Sequence, residues 1–238
     1  AMNSVDSESQ KIEISLSTDQ VIIADDGCGF DGINAIEEIF DVLCFDHGPD
    51  EANHRKFGQF GMGRCQMFSF AATTWRTRSF KMFVDVENKG FDYDFTDGLE
   101  DVAGCTVTGR FYEPQTSGNV HNTIKEVQDL VRYCPVPVFI NGTLVSADPA
   151  DEEWDHVTDD AYIRLRTSGE MAIYNQGVLV CRYPGWRFGQ GGEIVSRKRL
   201  EVNFARNDIL VSRCEVWKRV APFVQKEVTR STASRKSL

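Results

Sequence analysis

The short apolar run Val21-Ile22-Ile23-Ala24 stops at Asp25-Asp26-Gly27-Cys28-Gly29. A β-branched run of this length, closed by acidic residues and glycines, predicts a strand that ends in a tight Gly-rich turn. The strand would hold Asp25 at a rigid end, where a carboxylate can accept a hydrogen bond from an exocyclic amine. Gly27 and Gly29 follow at alternate positions, and without a Cβ they let a flat ring approach the backbone. Such a turn occurs alone in many folds, so its surroundings decide its meaning.

Upstream, residues 1–6 read as the end of a helix, and residues 11–16 alternate polar and apolar as a strand does. Downstream, Ile33, Ile36, Ile39, Phe40 and Leu43 recur at helical spacing. Gly58, Gly61 and Gly63 then lead into a helix expected to run to about Ala72. Glycine-rich backbone at a helix N-terminus offers free N–H donors and a positive dipole end, which suits phosphate. No Gly-Lys-Ser/Thr follows, so this is not a Walker A loop, and no strand immediately precedes it, as a dinucleotide fingerprint requires. Asn3 adds an amide oxygen of the kind that ligates Mg²⁺.

Strand patterns follow at 74–78, 80–86, 91–95 and 106–111, and the loop at 114–119 is the expected domain boundary. Beyond it the spacing predicts a helix over 123–133, a strand over 136–140 closed by Asn141-Gly142, and an acidic loop over 148–160. Strands over 161–166, 171–174 and 178–181 and a helix over 214–228 complete the reading, with a polar, basic, mobile tail from 230. Trp186 and Phe188, among glycines 185, 189, 191 and 192, read as an irregular loop.

In this order the elements resemble the GHKL ATPase domain (gyrase, ninety-kilodalton heat-shock chaperone, histidine kinase, MutL). Asn3-Ser4-Val5-Asp6 resembles its N-box, residues 21–30 its adenine motif and residues 57–63 its lid motif. Gly104-Cys105-Thr106-Val107 resembles the later Gly-Thr motif, whose hydroxyl supports the adenine-contacting Asp through water. The lid wording Gly58-Gln59-Phe60-Gly61-Met62-Gly63 is closest to the heat-shock chaperones. Ile173-Tyr174-Asn175-Gln176-Gly177-Val178 and Leu200-Glu201-Val202-Asn203-Phe204-Ala205-Arg206 resemble segments of their middle domain.

The resemblance implies an α+β fold. A Bergerat-type ATP-binding sandwich over 1–115, lacking its first helix and strand, would precede a transducer-like α/β domain over 116–230 and a basic tail over 231–238. It implies that Asn3, Asp6, Asp25, Gly27, Gly29, Gly58, Gln59, Phe60, Gly61, Met62, Gly63, Cys105 and Thr106 bind ATP or ADP, with Mg²⁺ on Asn3. Arg206 would be the catalytic residue that reaches the γ-phosphate, where a guanidinium fork matches phosphate oxygens. The implied function is an ATP-binding, ATP-hydrolysing switch of the chaperone kind that closes its lid, dimerises and acts on an unidentified protein client. The alternatives are a nucleotide sensor without hydrolysis and a DNA-processing ATPase like MutL or topoisomerase.

Three departures mark the match. The family's general base, a Glu four positions before the N-box Asn, would fall before Ala1. The Gly-Thr threonine falls on Cys105, with Thr106 one place late. Arg64 stands where the chaperones carry an aromatic, and both phosphate contact and solvent exposure suit it.

Composition narrows the classes. The 238 residues carry a formal charge of −10, and non-specific DNA binding needs Lys and Arg on phosphates, so DNA is not the favoured partner. Seven cysteines are scattered with no CxxC pair, which suits reduced thiols in a cytoplasmic protein. No apolar run approaches the roughly 20 residues that cross a bilayer, and the first residues carry no signal-peptide pattern. The four histidines show no ligand spacing.

Overall fold

The computed structural model describes residues 2–30, 67–90, 92–203 and 205–236, which form two compact units. The first takes Ala1–Gln128 and Val136–Ser146; the second takes Asp129–Pro135 and Ala147–Leu238. The division therefore falls later than the loop at 114–119, and the chain enters the second unit, returns and leaves again. The helix expected near 33–43 and the lid stretch 57–63 lie outside the described residues.

The first unit contains α1 (Met2–Asp6), β1 (Ile12–Leu16), β2 (Gln20–Asp25), β3 (Ala71–Arg78), β4 (Phe80–Val84), α2 (Val86–Lys89), β5 (Tyr93–Thr96) and β6 (Val102–Phe111). Most of α3 (Ser117–Val131) follows, then β7 (Val138–Ile140) and β8 (Thr143–Leu144). The strands make one sheet in the order β5-β4-β3-β6-β2-β1-β7-β8, antiparallel except for β1 beside β7. That parallel pair explains why β7 stays with the first unit. Ile12 faces Val138 and Ile14 faces Ile140 across the ladder, and all four are buried. Asn141 then turns the chain with positive φ, and its side-chain amide both donates to and accepts from the backbone of Leu16.

On α3, Val120, Ile124, Val127 and Val131 form the covered stripe, whereas Leu130, expected in it, is exposed. The helix expected to reach Ala72 ends early, because strand pairing already begins at Ala71 opposite Phe111.

The second unit has β9 (His156–Val157), β10 (Ala161–Arg166), β11 (Glu170–Asn175), β12 (Val178–Pro184), β13 (Gly191–Ser196) and α4 (Glu215–Lys236). Its sheet runs β12-β11-β13-β10-β9, with β11 and β13 parallel. Trp217, Val220, Val224 and Val228 recur along one face of α4 and bury against Ile163, Met171, Ile173 and Ile194. Each such burial contributes about 1.5–3 kcal/mol. Asp160, just before β10, accepts from Arg219 Nε at 2.7 Å and from Lys198 Nζ at 2.7 Å, which ties α4 to the sheet. These hydrogen bonds, that from Arg219 foremost, hold the Asp160 carboxyl well below the usual carboxylate range.

Two expectations are corrected here. Residues 230–236 are helical, a continuation of α4 rather than a loose tail: once the packed turns have nucleated the helix, its polar end propagates at little cost. The glycine-rich stretch after Trp186 contains a fully buried strand, β13. Gly191 and Gly192 begin it because a Cβ at either would strike backbone, that of Ser168 and Arg164 respectively. Glu193 sits in its middle, 4 % exposed, and accepts from Arg132, Arg164, Arg166 and the Tyr133 hydroxyl. A carboxylate so surrounded can be buried, since every lone pair that it turns inward has a donor.

Candidate nucleotide site

The site begins with how α1 ends. The Ser4 carbonyl accepts from the Ser9 N–H at 3.2 Å and from the hydroxyls of Ser7 at 2.9 Å and Ser9 at 2.6 Å, which closes the helix end. Glu8, at φ 60°, turns the chain back toward β1. The turn after β2 then packs on this helix end. Cys28 N–H donates to the Ser7 carbonyl at 2.9 Å, and a Cβ on Gly27 would lie 2.2 Å from Ser7 Oγ.

The two adjacent aspartates have different roles. Asp26 Oδ1 accepts from the backbone N–H groups of Gln10 and Lys11, at 2.7 and 2.9 Å, and so fastens the turn to the start of β1. Asp25 Oδ1 accepts only the local Gly27 N–H, at 3.1 Å, and Oδ2 has no hydrogen bond among the described residues. Asp25 is half-buried at the end of a sheet strand. It is the carboxylate that can meet a ligand.

The glycines have a packing role within the protein. Gly29, at φ 69°, would put a Cβ 2.4 Å from Thr77 Oγ1, and Gly104, at φ 70°, would put one 1.8 Å from the Asp25 carbonyl oxygen. The space that a Cβ would take at Gly27, Gly29 and Gly104 is filled by protein. These residues let the turn lie against α1 and β6, and in doing so they fix where Asp25 points.

Strand register separates the two candidates in β6. Cys105 pairs with Asp25 on one side and Thr77 on the other, so these three side chains share a face. Thr106 pairs with Ala24 and Arg76, and its side chain leaves by the opposite face. Cys105 therefore occupies the position beside Asp25. Burial, and after it the charge of Asp25, pushes the Cys105 thiol up to about 12, so it is neutral at pH 7. Alkylation needs the thiolate, which a thiol raised this far scarcely forms at pH 8. Iodoacetamide at pH 8 is therefore expected to label the exposed Cys28 and to leave the Cys105 peptide unmodified by mass spectrometry. Rapid labelling of Cys105 in folded protein would contradict this environment.

Asn3 lies exposed on α1, and Asp6 is half-buried at its end. Gly58, Gln59, Phe60, Gly61, Met62 and Gly63 lie outside the described residues. Arg206 belongs to the second unit, on a hairpin closed by the Val202–Ile209 bridge. Asn203 Oδ1 accepts from the N–H groups of Asn207 and Asp208, and Tyr183 OH donates to Asp208 at 2.6 Å. Arg206 itself has φ 56°, in the left-handed region, and its N–H donates to the Asn203 carbonyl. Thr77 went unnoticed in the sequence, where nothing sets it apart from the other threonines of its strand.

A mixed α+β architecture with a large, mainly antiparallel sheet, and an acidic turn at one strand's end beside α1, is that of the GHKL ATP-binding sandwich. Residues 1–101 match the family model described as histidine kinase-, DNA gyrase B- and HSP90-like ATPase. Over these residues the chain is similar to the GHKL superfamily, whose members are ATPases as a class. No curated protein matches the chain. Among solved structures, the ATPase region of Saccharomyces cerevisiae topoisomerase II, bound to dexrazoxane, superposes with a TM-score of 0.61 at 11% identity. The match covers 98% of this chain and 82% of that one, and it shows a shared fold. Among the described residues no helix is long and apolar enough to cross a membrane.

Proposed function

We propose that this chain binds Mg-ATP at the Asp25 turn and uses it as a conformational switch. The observation that carries the reading is the half-buried Asp25 carboxylate, oriented by Gly27 and packed protein, with one oxygen left for a donor such as an exocyclic amine. The donor set also fits the metal: the exposed amide of Asn3, on the helix that abuts the turn, offers the oxygen that Mg²⁺ prefers. When bound, the metal would neutralise phosphate charge; the chain's own task is to seat the base and orient the phosphates.

The finer reading rests on sequence wording. The stretch 58–63 would close over the nucleotide as in the heat-shock chaperones, and Arg206 would report on the γ-phosphate. On that likeness the protein works as a homodimer on a protein client in the cytoplasm, with DNA less favoured at a charge of −10. A second reading, a sensor that binds ATP without hydrolysing it, draws on Cys105, a neutral thiol where the family carries a hydroxyl beside the adenine carboxylate.

Calorimetry tests the metal part. Asn3→Ala is expected to remove the Mg²⁺ dependence of ATP binding while adenosine binding persists. If EDTA leaves ATP affinity of the native chain untouched, Asn3 is not a ligand.

A further inference from the structure

Thr77 is completely buried at the end of β3, and its hydroxyl is hydrogen-bonded in both directions. It donates to the Gly104 carbonyl at 2.6 Å and accepts the Phe30 N–H at 3.2 Å. One hydroxyl thus joins the two glycine motifs of the site: the turn that follows Asp25, and the strand that carries Cys105. Its oxygen also lies where a Cβ on Gly29 would fall.

The position is built for this. The register slips between Thr77 and Arg78, a β-bulge of the kind that re-aims a side chain, and Arg78 sits at φ 45°. The guanidinium of Arg76 holds the bulge by donating to the carbonyls of Thr77, Arg78, Phe80 and Glu100.

We propose that Thr77 is a positioning residue for nucleotide binding: its hydroxyl fixes the Gly29–Phe30 backbone, and through it the Asp25 carboxylate, in the ligand-receiving arrangement. The inference rests on the nucleotide reading above and deepens it. Thr77 acts through the turn that holds Asp25, whose proposed contact is to the base, so ADP and ATP feel its loss equally.

Three variants test it. Thr77→Val keeps the shape and removes the hydroxyl that bridges the Phe30 N–H and the Gly104 carbonyl; Thr77→Ser keeps the hydroxyl. Thr77→Ala removes it without crowding and carries the test if the Val variant does not fold. Near-UV circular dichroism selects folded protein, and calorimetry then gives ADP and ATP affinities. We expect Thr77→Val or Thr77→Ala to weaken both nucleotides about tenfold, and Thr77→Ser to stay within about twofold of the native chain. Hydrogen exchange at Phe30 should rise with the first two and not with the third.

A lower melting temperature with unchanged affinities would make Thr77 merely structural and overturn the proposal. Equal losses in Thr77→Ser would also overturn it, because the hydroxyl would not be the agent. Failure of the parent reading looks different: the native chain itself would bind neither nucleotide, and the proposal would fall with it.

Discussion

Asp25→Asn is expected to weaken ATP binding by one to two orders of magnitude while the protein stays folded. A hydrogen bond to a charged acceptor contributes about 1.5–3 kcal/mol, and here the acceptor is half-buried, which limits screening by water. The fold should tolerate the change. An Asn side chain can still accept the Gly27 N–H through its amide oxygen, the one local bond that Asp25 makes. What changes is the other atom: the amide NH2 replaces Oδ2 and would meet a ligand amine donor to donor. Adenosine, ADP and ATP should therefore lose affinity alike, because the contact is to the base. Unchanged ATP affinity in a folded Asp25→Asn chain would remove the base from this turn.

Arg206→Ala is expected to behave differently. The hairpin that carries Arg206 is braced by Asn203 and by the Tyr183–Asp208 hydrogen bond, and neither uses the Arg206 side chain. If the guanidinium meets charge that only ATP or the transition state presents, its loss leaves ADP affinity near that of the native chain. Any hydrolysis should fall by about 10³-fold or more, the scale on which arginine fingers act. Equal losses for ADP and ATP would point to a damaged fold. No effect on either would take Arg206 out of the switch.

Much of the fold was legible because it rests on local periodicity. The run 21–24 and its acidic turn, the alternation at 11–16 and the helical spacing of Trp217, Val220, Val224 and Val228 each follow from one face meeting a core. The misses share a cause, in that partners distant in sequence override local pattern. Strand β13 opens with two glycines and carries a glutamate, and only the arginines on residues 132, 164 and 166 make that glutamate a core residue. β7 belongs to the first unit because it pairs with β1, more than a hundred residues earlier.

The site divides in the same way. Asp25 and its glycines stood out as a motif, whereas the packing of Gly27 on Ser7 and of Gly29 on Thr77 carried no local signal. The rank of Cys105 over Thr106 was undecidable from spacing, because a one-residue shift moves a side chain to the other face and only the pairing with Asp25 reveals which face is which. Thr77 had no sequence signal at all. Its importance comes from a bulge and from two backbone partners, 27 and 47 residues away.

Hydrogen exchange of the native chain with and without Mg-ATP tests the central claim most directly, because it reports where the ligand acts as well as whether it binds. The account predicts slowed exchange at residues 25–30 and at 104–106, the two backbone segments that meet at Asp25, and the same effect with saturating ADP. Saturating Mg-ATP with no change in either segment, or with protection confined to residues 147–236, would contradict it.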